Sequence, residues 1–348
     1  MIPVRSNIRD LNGYTPGEQF NDPDIIKLNT NENPYPPSPR VFEAVQAALT
    51  GDKLRKYPQP LADDFRRVAG QVLKVDPSCI LVGNGSDDIL TILTRAFVPE
   101  GGLMVSPTPS YLLYRTLAGI QGARFECVPY TADWQLDLNQ WPRHANLCFV
   151  ANPNSPSGTL VEPAVIRHLS SLTEPSPLVV DEAYVEFSDA VSLIHRIGEW
   201  PNLIVTRTFS KAYSLAGMRL GYAVARPEVI RELVKVKDSY NCDVLSLAAA
   251  TAAIEDQHYF TQVRAKILAT RERMLPALTA LGFVVTPSQA NFVWCRRSDR
   301  AVLPIYEELK RRKILVRYMN YDGYDGLRIS VGTDAEIDRL ITELRAIL

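Results

Sequence analysis

The sequence predicts an α/β fold: a large domain with a mostly parallel seven-stranded sheet over residues 39–275, and a small α+β domain built from both chain ends, 1–38 and 276–348. Three observations predict it. Seven short apolar runs alternate with amphipathic stretches between residues 79 and 224, and strands that read as continuous apolar runs between helices belong to parallel sheets covered on both faces. After Asp243 the pattern changes to long helix, followed by a mixed strand and helix region of about seventy residues, which is small for an independent core. The length of 348 residues suits one large two-part unit or two domains.

The elements follow in order. Residues 28–39 are a proline-rich connector that cannot form helix or central strand. Ser38-Pro39 reads as a helix N-cap and first position, with Val41, Phe42, Val45 and Leu49 at helical spacing behind it. Strands are expected at Cys79–Val82, Leu103–Val105, Arg124–Val128, Leu147–Ala151, Leu178–Val180, Leu203–Arg207 and Leu220–Val224, with helices starting near Ser86, Ser110, Glu162 and Pro227. One long helix should run from Asp243 to about Leu281. The small unit should hold strands Phe283–Val285, Asn291–Trp294, Leu315–Arg317 and Leu327–Val331, and helices Ala301–Arg312 and Asp334–Ile347.

Composition narrows the function classes. Hydrophobic residues make up 46% and charged residues 22%, with a formal net charge of −1. Nothing in that balance points to nucleic acid or an acidic membrane surface, and Lys310-Arg311-Arg312-Lys313 reads as a solvated helix end. Cys79, Cys127, Cys148, Cys242 and Cys295 are scattered, odd in number and without a CxxC pair, as expected of reduced thiols in a cytoplasmic protein. His144, His168, His195 and His258 lack ligand spacing, so no metal site is expected. The first residues lack the apolar core of a signal peptide, and no apolar run reaches membrane-spanning length.

The most informative stretch is Val205–Tyr222. It sets Lys211 among small and hydroxylated residues, with Arg219 eight positions later. That setting suits an amine that is partly desolvated, deprotonated at working pH and close to a phosphate, as in a Schiff base with pyridoxal phosphate. Asp181 ends an apolar strand, where ligands of open α/β sheets bind. It would pair with a protonated ring nitrogen, or else serve as a helix N-cap or turn residue. Tyr184, three residues on, would reach a phenolic oxygen of the same ring, or pack in the core. Gly83–Asp88 follows a strand and opens a helix, so Gly85, Ser86 and Asp87 offer backbone N–H groups to a phosphate, with Thr208, Ser210 and Arg219 as further phosphate donors. Asn152–Gly158 is a rigid turn at the same sheet edge, where Asn154 would donate to the ring oxygen or simply build the loop.

With these motifs the chain resembles the fold type I pyridoxal-phosphate enzymes, and within them the histidinol-phosphate aminotransferases. The resemblance spans nearly the whole chain and rests on Leu28–Tyr35, Lys56-Tyr57-Pro58, Gly83–Asp87, Pro107–Tyr111, Asn152–Gly158, Val180–Phe187, Arg207–Tyr222 and Leu327–Gly332. It implies that pyridoxal 5'-phosphate is covalently held on Lys211, which also moves a proton between the substrate α-carbon and the cofactor. It implies that Tyr111 stacks on the pyridine ring. Tyr57 would reach the phosphate in the neighbouring subunit of a homodimer. Arg328 would grip the carboxylate of glutamate or 2-oxoglutarate, with Tyr14, Asn31, Tyr57 and Arg317 lining the substrate pocket. Two departures stand out: Asn154-Ser155-Pro156-Ser157-Gly158 replaces the common Asn-Asn-Pro-Thr-Gly, and Ser86-Asp87-Asp88 replaces Ser-Asp-Glu, which leaves the backbone cradle intact.

The implied reaction is ping-pong transamination between L-histidinol phosphate and 2-oxoglutarate, giving imidazole acetol phosphate and L-glutamate, in histidine biosynthesis. The same motifs are compatible with an aromatic-amino-acid or broad-range aminotransferase and with a threonine-phosphate decarboxylase. A cofactor-binding regulator would carry an added DNA-binding domain, for which motifs beginning by residue 28 leave no room.

Overall fold

The computed structural model describes residues 2–20, 22–321 and 324–348. Of the expected small domain, Met1, Asn21, Asp322 and Gly323 lie outside the described residues. Strand β1 (Ile26–Leu28) leads into the connector, and then come β2 (Ile80–Gly83), β3 (Leu103–Thr108), β4 (Arg124–Pro129), β5 (Leu147–Ala151), β6 (Leu178–Asp181), β7 (Leu203–Thr208) and β8 (Gly221–Val224). All seven strands expected between residues 79 and 224 are present, in one sheet of order β2-β8-β7-β6-β5-β3-β4. Only β8 is reversed, pairing antiparallel with both β2 and β7.

The apolar runs are continuous because both sheet faces are covered. Phe149, Val179 and Ile204 point into one core with Ile89, Leu93 and Leu117, while Val150, Val180 and Val205 point into the other with Phe65, Ile166 and Leu169. Successive side chains alternate faces, so three adjacent strands each feed both cores. Register aligns Ala151 with Asp181, Asp181 with Thr206, and Gly221 with both Gly83 and Thr208. The carboxyl ends of β2, β5, β6 and β7 therefore form one edge, and the loop from β7 to the reversed β8 carries Lys211 across it.

The helix Asp63–Leu73 was not expected, and two expected helices differ from their predicted bounds. The segment after Asp243 is two helices, Val244–Glu255 and Gln257–Ala280. Asp256 interrupts them at φ −87° and ψ 65°, its carboxylate accepting from Tyr259 N and from Ser38 Oγ; a short acidic side chain that bonds local N–H groups favours a cap over a helix interior. The helix expected near Ser110 begins at Leu113, because the Ser110 hydroxyl donates to Asn154 Oδ1 at 2.9 Å instead of capping. The Ser38 cap forms as expected, its side chain accepting from Arg40 N.

The small sheet joins β1 to β9 (Val284–Thr286), β10 (Phe292–Arg296), β11 (Ile314–Tyr321) and β12 (Tyr324–Ser330) in the order β1-β11-β12-β10-β9. The boundary expected between residues 275 and 276 falls inside the helix Gln257–Ala280, whose Val263, Ile267, Met274 and Leu278 share one core with Val293, Leu327, Ile329 and Leu340. The N-terminal segment touches both units: Asn7 Nδ2 donates to Gly119 O of the large domain at 2.8 Å, and Arg317 of the small sheet donates to Thr15 O and Pro16 O.

Candidate active site

A cavity of about 360 Å³ opens at the carboxyl edge of the large sheet, closed by residues 14–17, residues 29–32 and the β11–β12 pair. Its lining brings together Ser86, Asp87, Tyr111, Asp181, Tyr184, Thr208, Ser210, Lys211, Arg219 and Arg328, together with Tyr14, Asn31 and Arg317. Gly85, Tyr57 and Asn154 do not line it.

Lys211 extends its amine into this space, where Nζ donates to Thr30 O at 2.9 Å and lies 5.9 Å from the Tyr184 ring centroid. Burial, aided by the nearby Arg328 cation, lowers its pKa to about 8. Two and a half pH units below the ordinary value means a neutral fraction near neutrality raised by about a few hundredfold. Asp181 is 5% exposed. It accepts from Ala183 N and, at 2.8 Å, from the Tyr114 hydroxyl. Burial raises its pKa to about 6 against the opposing pull of the Tyr114 bond.

Gly85 is the N-cap of the helix Ser86–Phe97, at φ 85° and with no side-chain cap. The first N–H groups of an uncapped helix suit an anion. A Cβ at Gly85 would stand 2.6 Å from Arg219 Nη2, so glycine is needed both for the turn and for the approach of this guanidinium. Arg219 Nη1 donates to Ser210 Oγ at 3.2 Å, Nη2 reaches Asp87 Oδ2 at 3.5 Å, and Thr208 Oγ1 accepts from Ser210 N. Hydroxyls, helix start and cation thus surround one end of the cavity.

Tyr111 Oη donates to Asp87 Oδ1 at 3.1 Å, which holds the ring as a wall, edge-on to Tyr14. Tyr184 Oη accepts from Asn31 Nδ2 at 3.0 Å. Asn31 itself is fully built in, at φ 57° with its N–H on Ser330 Oγ. Arg328 is anchored through Nη1 to Ser155 Oγ and Nη2 to Asn29 O, both at 3.0 Å, with the Phe292 ring centroid 5.4 Å from its Cζ.

Two expected residues are placed elsewhere. The Asn154 side chain is fully buried, its amide donating to Pro109 O and Ser157 Oγ and its oxygen accepting from Ser110. Its polar atoms hold the turn together, and the neighbouring Ser155 faces the cavity instead. Tyr57 is 79% exposed and stacks on Tyr240 at 4.4 Å. Ser155, Thr30 and Tyr114 escaped sequence reasoning. Only Tyr114 had a signal, its three-residue spacing from Tyr111 at a helix start.

Residues 23–344 match the family model described as aminotransferase class I and II. The chain is 50% identical to a histidinol-phosphate aminotransferase of Rhodopirellula baltica, over 97% of this chain and 93% of the relative. The chain belongs to that family. A second histidinol-phosphate aminotransferase, from Geotalea daltonii, is 44% identical over 99% of both chains. Among solved structures, the histidinol-phosphate aminotransferase of Sinorhizobium meliloti in complex with pyridoxal-5'-phosphate aligns with TM-score 0.89 at 28% identity, covering 100% of this chain and 99% of that one. A Clostridium acetobutylicum histidinol-phosphate aminotransferase structure aligns at TM-score 0.86 over 93% of this chain and 99% of that one, and at 21% identity it speaks for the fold alone. The fold is that of type I pyridoxal-phosphate aminotransferases, with the mostly parallel seven-stranded sheet expected from the sequence.

The residues of this aminotransferase fit pyridoxal 5'-phosphate. The chemistry of the donor set is the test: a desolvated amine, a buried carboxylate and a phenol lining one cavity, and an uncapped helix start pressed by Arg219 because Gly85 has no side chain. Among the described residues no group of metal-ligating side chains competes for the site, and no helix is long and apolar enough to cross a membrane.

Proposed function

We propose that this chain transfers the amino group between L-histidinol phosphate and 2-oxoglutarate, forming imidazole acetol phosphate and L-glutamate, as a step of histidine biosynthesis in the cytoplasm. The observation that carries the reading is the Lys211 amine, buried on the wall of a cavity that also holds Asp181, Arg219 and Arg328. When bound, pyridoxal 5'-phosphate supplies the aldehyde that carries the amino group and the ring that withdraws electrons. Lys211 would hold it covalently, with Ser86, Thr208, Ser210 and Arg219 on its phosphate, Asp181 on its ring nitrogen, Tyr184 and Ser155 toward its ring oxygen, and Tyr111 against its face.

The chain's own residues then have distinct tasks. Lys211 Nζ takes the proton from the substrate α-carbon; its lowered pKa leaves a useful neutral fraction for that step. Arg328 receives the carboxylate of the dicarboxylic partner. Its two Nη atoms are already fixed by Ser155 and Asn29, so little entropy is lost on forming a forked pair. Tyr14, Pro16 and Gly17 contribute wall to the substrate end of the cavity.

The enzyme works as a homodimer in this reading. Tyr57 is exposed and remote from its own cavity, and Phe42, Leu49 and Leu54 in the same stretch of chain are also exposed, at 61%, 47% and 55%. A second copy covering them would bury apolar area and carry Tyr57 to the other phosphate site.

A half-reaction screen tests the substrate. The yellow cofactor-loaded protein is mixed in turn with histidinol phosphate, phenylalanine and threonine phosphate, and conversion to the pyridoxamine form is followed. Fastest conversion with histidinol phosphate is expected. Preference for phenylalanine would make this an aromatic aminotransferase, and release of carbon dioxide from threonine phosphate would make it a decarboxylase.

A further inference from the structure

We propose that Tyr114 is a positioning residue that holds Asp181 as an anion aimed into the cavity. The inference rests on Asp181 serving the cofactor's ring nitrogen. Tyr114 is fully buried, its hydroxyl 2.8 Å from Asp181 Oδ2. The ring is fixed on two sides, stacked on Phe149 at 4.5 Å and 2°, and edge-on to Tyr111 at 5.5 Å and 87°. Phe149 sits on β5 beside β6, the strand that ends in Asp181. The sheet, the tyrosine and the carboxylate therefore form one rigid unit, with Oδ1 occupied by the Ala183 N–H.

The need for such a donor follows from burial. An isolated carboxylate in this place favours its neutral form, and Asp87 adds negative charge nearby. A neutral acid would offer a proton where the ring nitrogen also carries one. Tyr114, kept protonated by its own burial, donates and so favours the charged form. A phenylalanine would fill the same space and stack equally well, so packing alone does not account for the directed bond.

The test compares affinity for pyridoxal phosphate with affinity for the analogue that has carbon in place of the ring nitrogen, using cofactor-stripped wild type, Tyr114→Phe and Asp181→Asn. Wild type should prefer the natural cofactor. Tyr114→Phe should narrow that preference by about tenfold, the loss of one hydrogen bond to a charged group, while its affinity for the analogue stays unchanged. A purely structural role would weaken both ligands alike and overturn the proposal. So would an unchanged preference in Tyr114→Phe while Asp181→Asn loses it. If Asp181→Asn also keeps the preference, the ring-nitrogen assignment falls and the role of Tyr114 with it. Should Tyr114→Phe not fold, a fluorinated tyrosine at 114 keeps the shape and strengthens the donor. It should widen the preference, and an unmoved ratio again overturns the proposal.

Discussion

Asn31 Nδ2 donates to Tyr184 Oη at 3.0 Å across 153 residues of sequence. The bond ties the N-terminal connector to the strand-end segment that follows β6. It also leaves the Tyr184 proton free to point into the cavity. Asn31→Gly, which keeps the left-handed backbone at φ 57° unstrained, should lower turnover by about tenfold, the equivalent of one hydrogen bond. The unfolding temperature should fall only modestly, because the Asn31 N–H on Ser330 is retained while the Ser330 hydroxyl loses Asn31 Oδ1 as its acceptor. Unchanged turnover would mean that Tyr184 is positioned without Asn31.

Lys211→Ala should abolish covalent cofactor attachment and lower turnover by roughly several orders of magnitude. Among the described residues it is the one lysine that lines the cavity. The visible band of the purified protein is the readout, and a band that survives dialysis would assign attachment to another lysine.

Asp181 makes a pH prediction whose sign is fixed by linkage. Its folded pKa of about 6 lies above the ordinary 3.8. The folded state therefore binds more protons between these values, and the associated stability is lost as pH rises through about 6. In cofactor-free protein, Asp181→Asn should be more stable than wild type above that pH by about 1–3 kcal/mol, with the difference gone near about pH 4. Urea unfolding at both pH values measures it. With cofactor present, the same variant should transaminate poorly, because an amide does not keep a ring nitrogen protonated.

Tyr57 is expected to serve the opposite subunit. Mixed dimers of Lys211→Ala and Tyr57→Phe chains should regain activity, since one of the two sites in each hybrid would be intact. Hybrids that form yet gain nothing over the single mutants would return Tyr57 to its own subunit.

Arg328→Lys should weaken both half-reactions, because an ammonium lacks the forked geometry and the anchors on Ser155 and Asn29 hold only a guanidinium. Histidinol, lacking the phosphate, should be a poorer amino donor than histidinol phosphate, by about tenfold for each 1.4 kcal/mol that the phosphate contributes to binding. Equal rates with the two donors would remove phosphate recognition from the pocket.

Most of the large-sheet strands were legible in the sequence because they are buried on both faces and so read as apolar runs, whereas the edge strand β4, with Arg124 and Glu126 exposed, shows alternation instead. Lys211, Asp181 and the Gly85–Asp87 turn were legible for a related reason. Each departs from its local context in a way that core packing does not require, and each sits where a strand ends. Long-range choices were not legible. Whether Asn154 or Ser155 faces the cavity depends on Ser110 and Pro109, some 45 residues away, claiming the Asn154 amide. The same bond took Ser110 out of the helix start, and the helix break at Asp256 depends on Ser38, 218 residues distant. Tyr114 looks like any helical core aromatic until β6 brings Asp181 within 2.8 Å of its hydroxyl. Hydrophobic periodicity is a local property that a single chain displays. The pairing of one polar atom with another is decided only when folding removes water and leaves each buried donor a small set of neighbours.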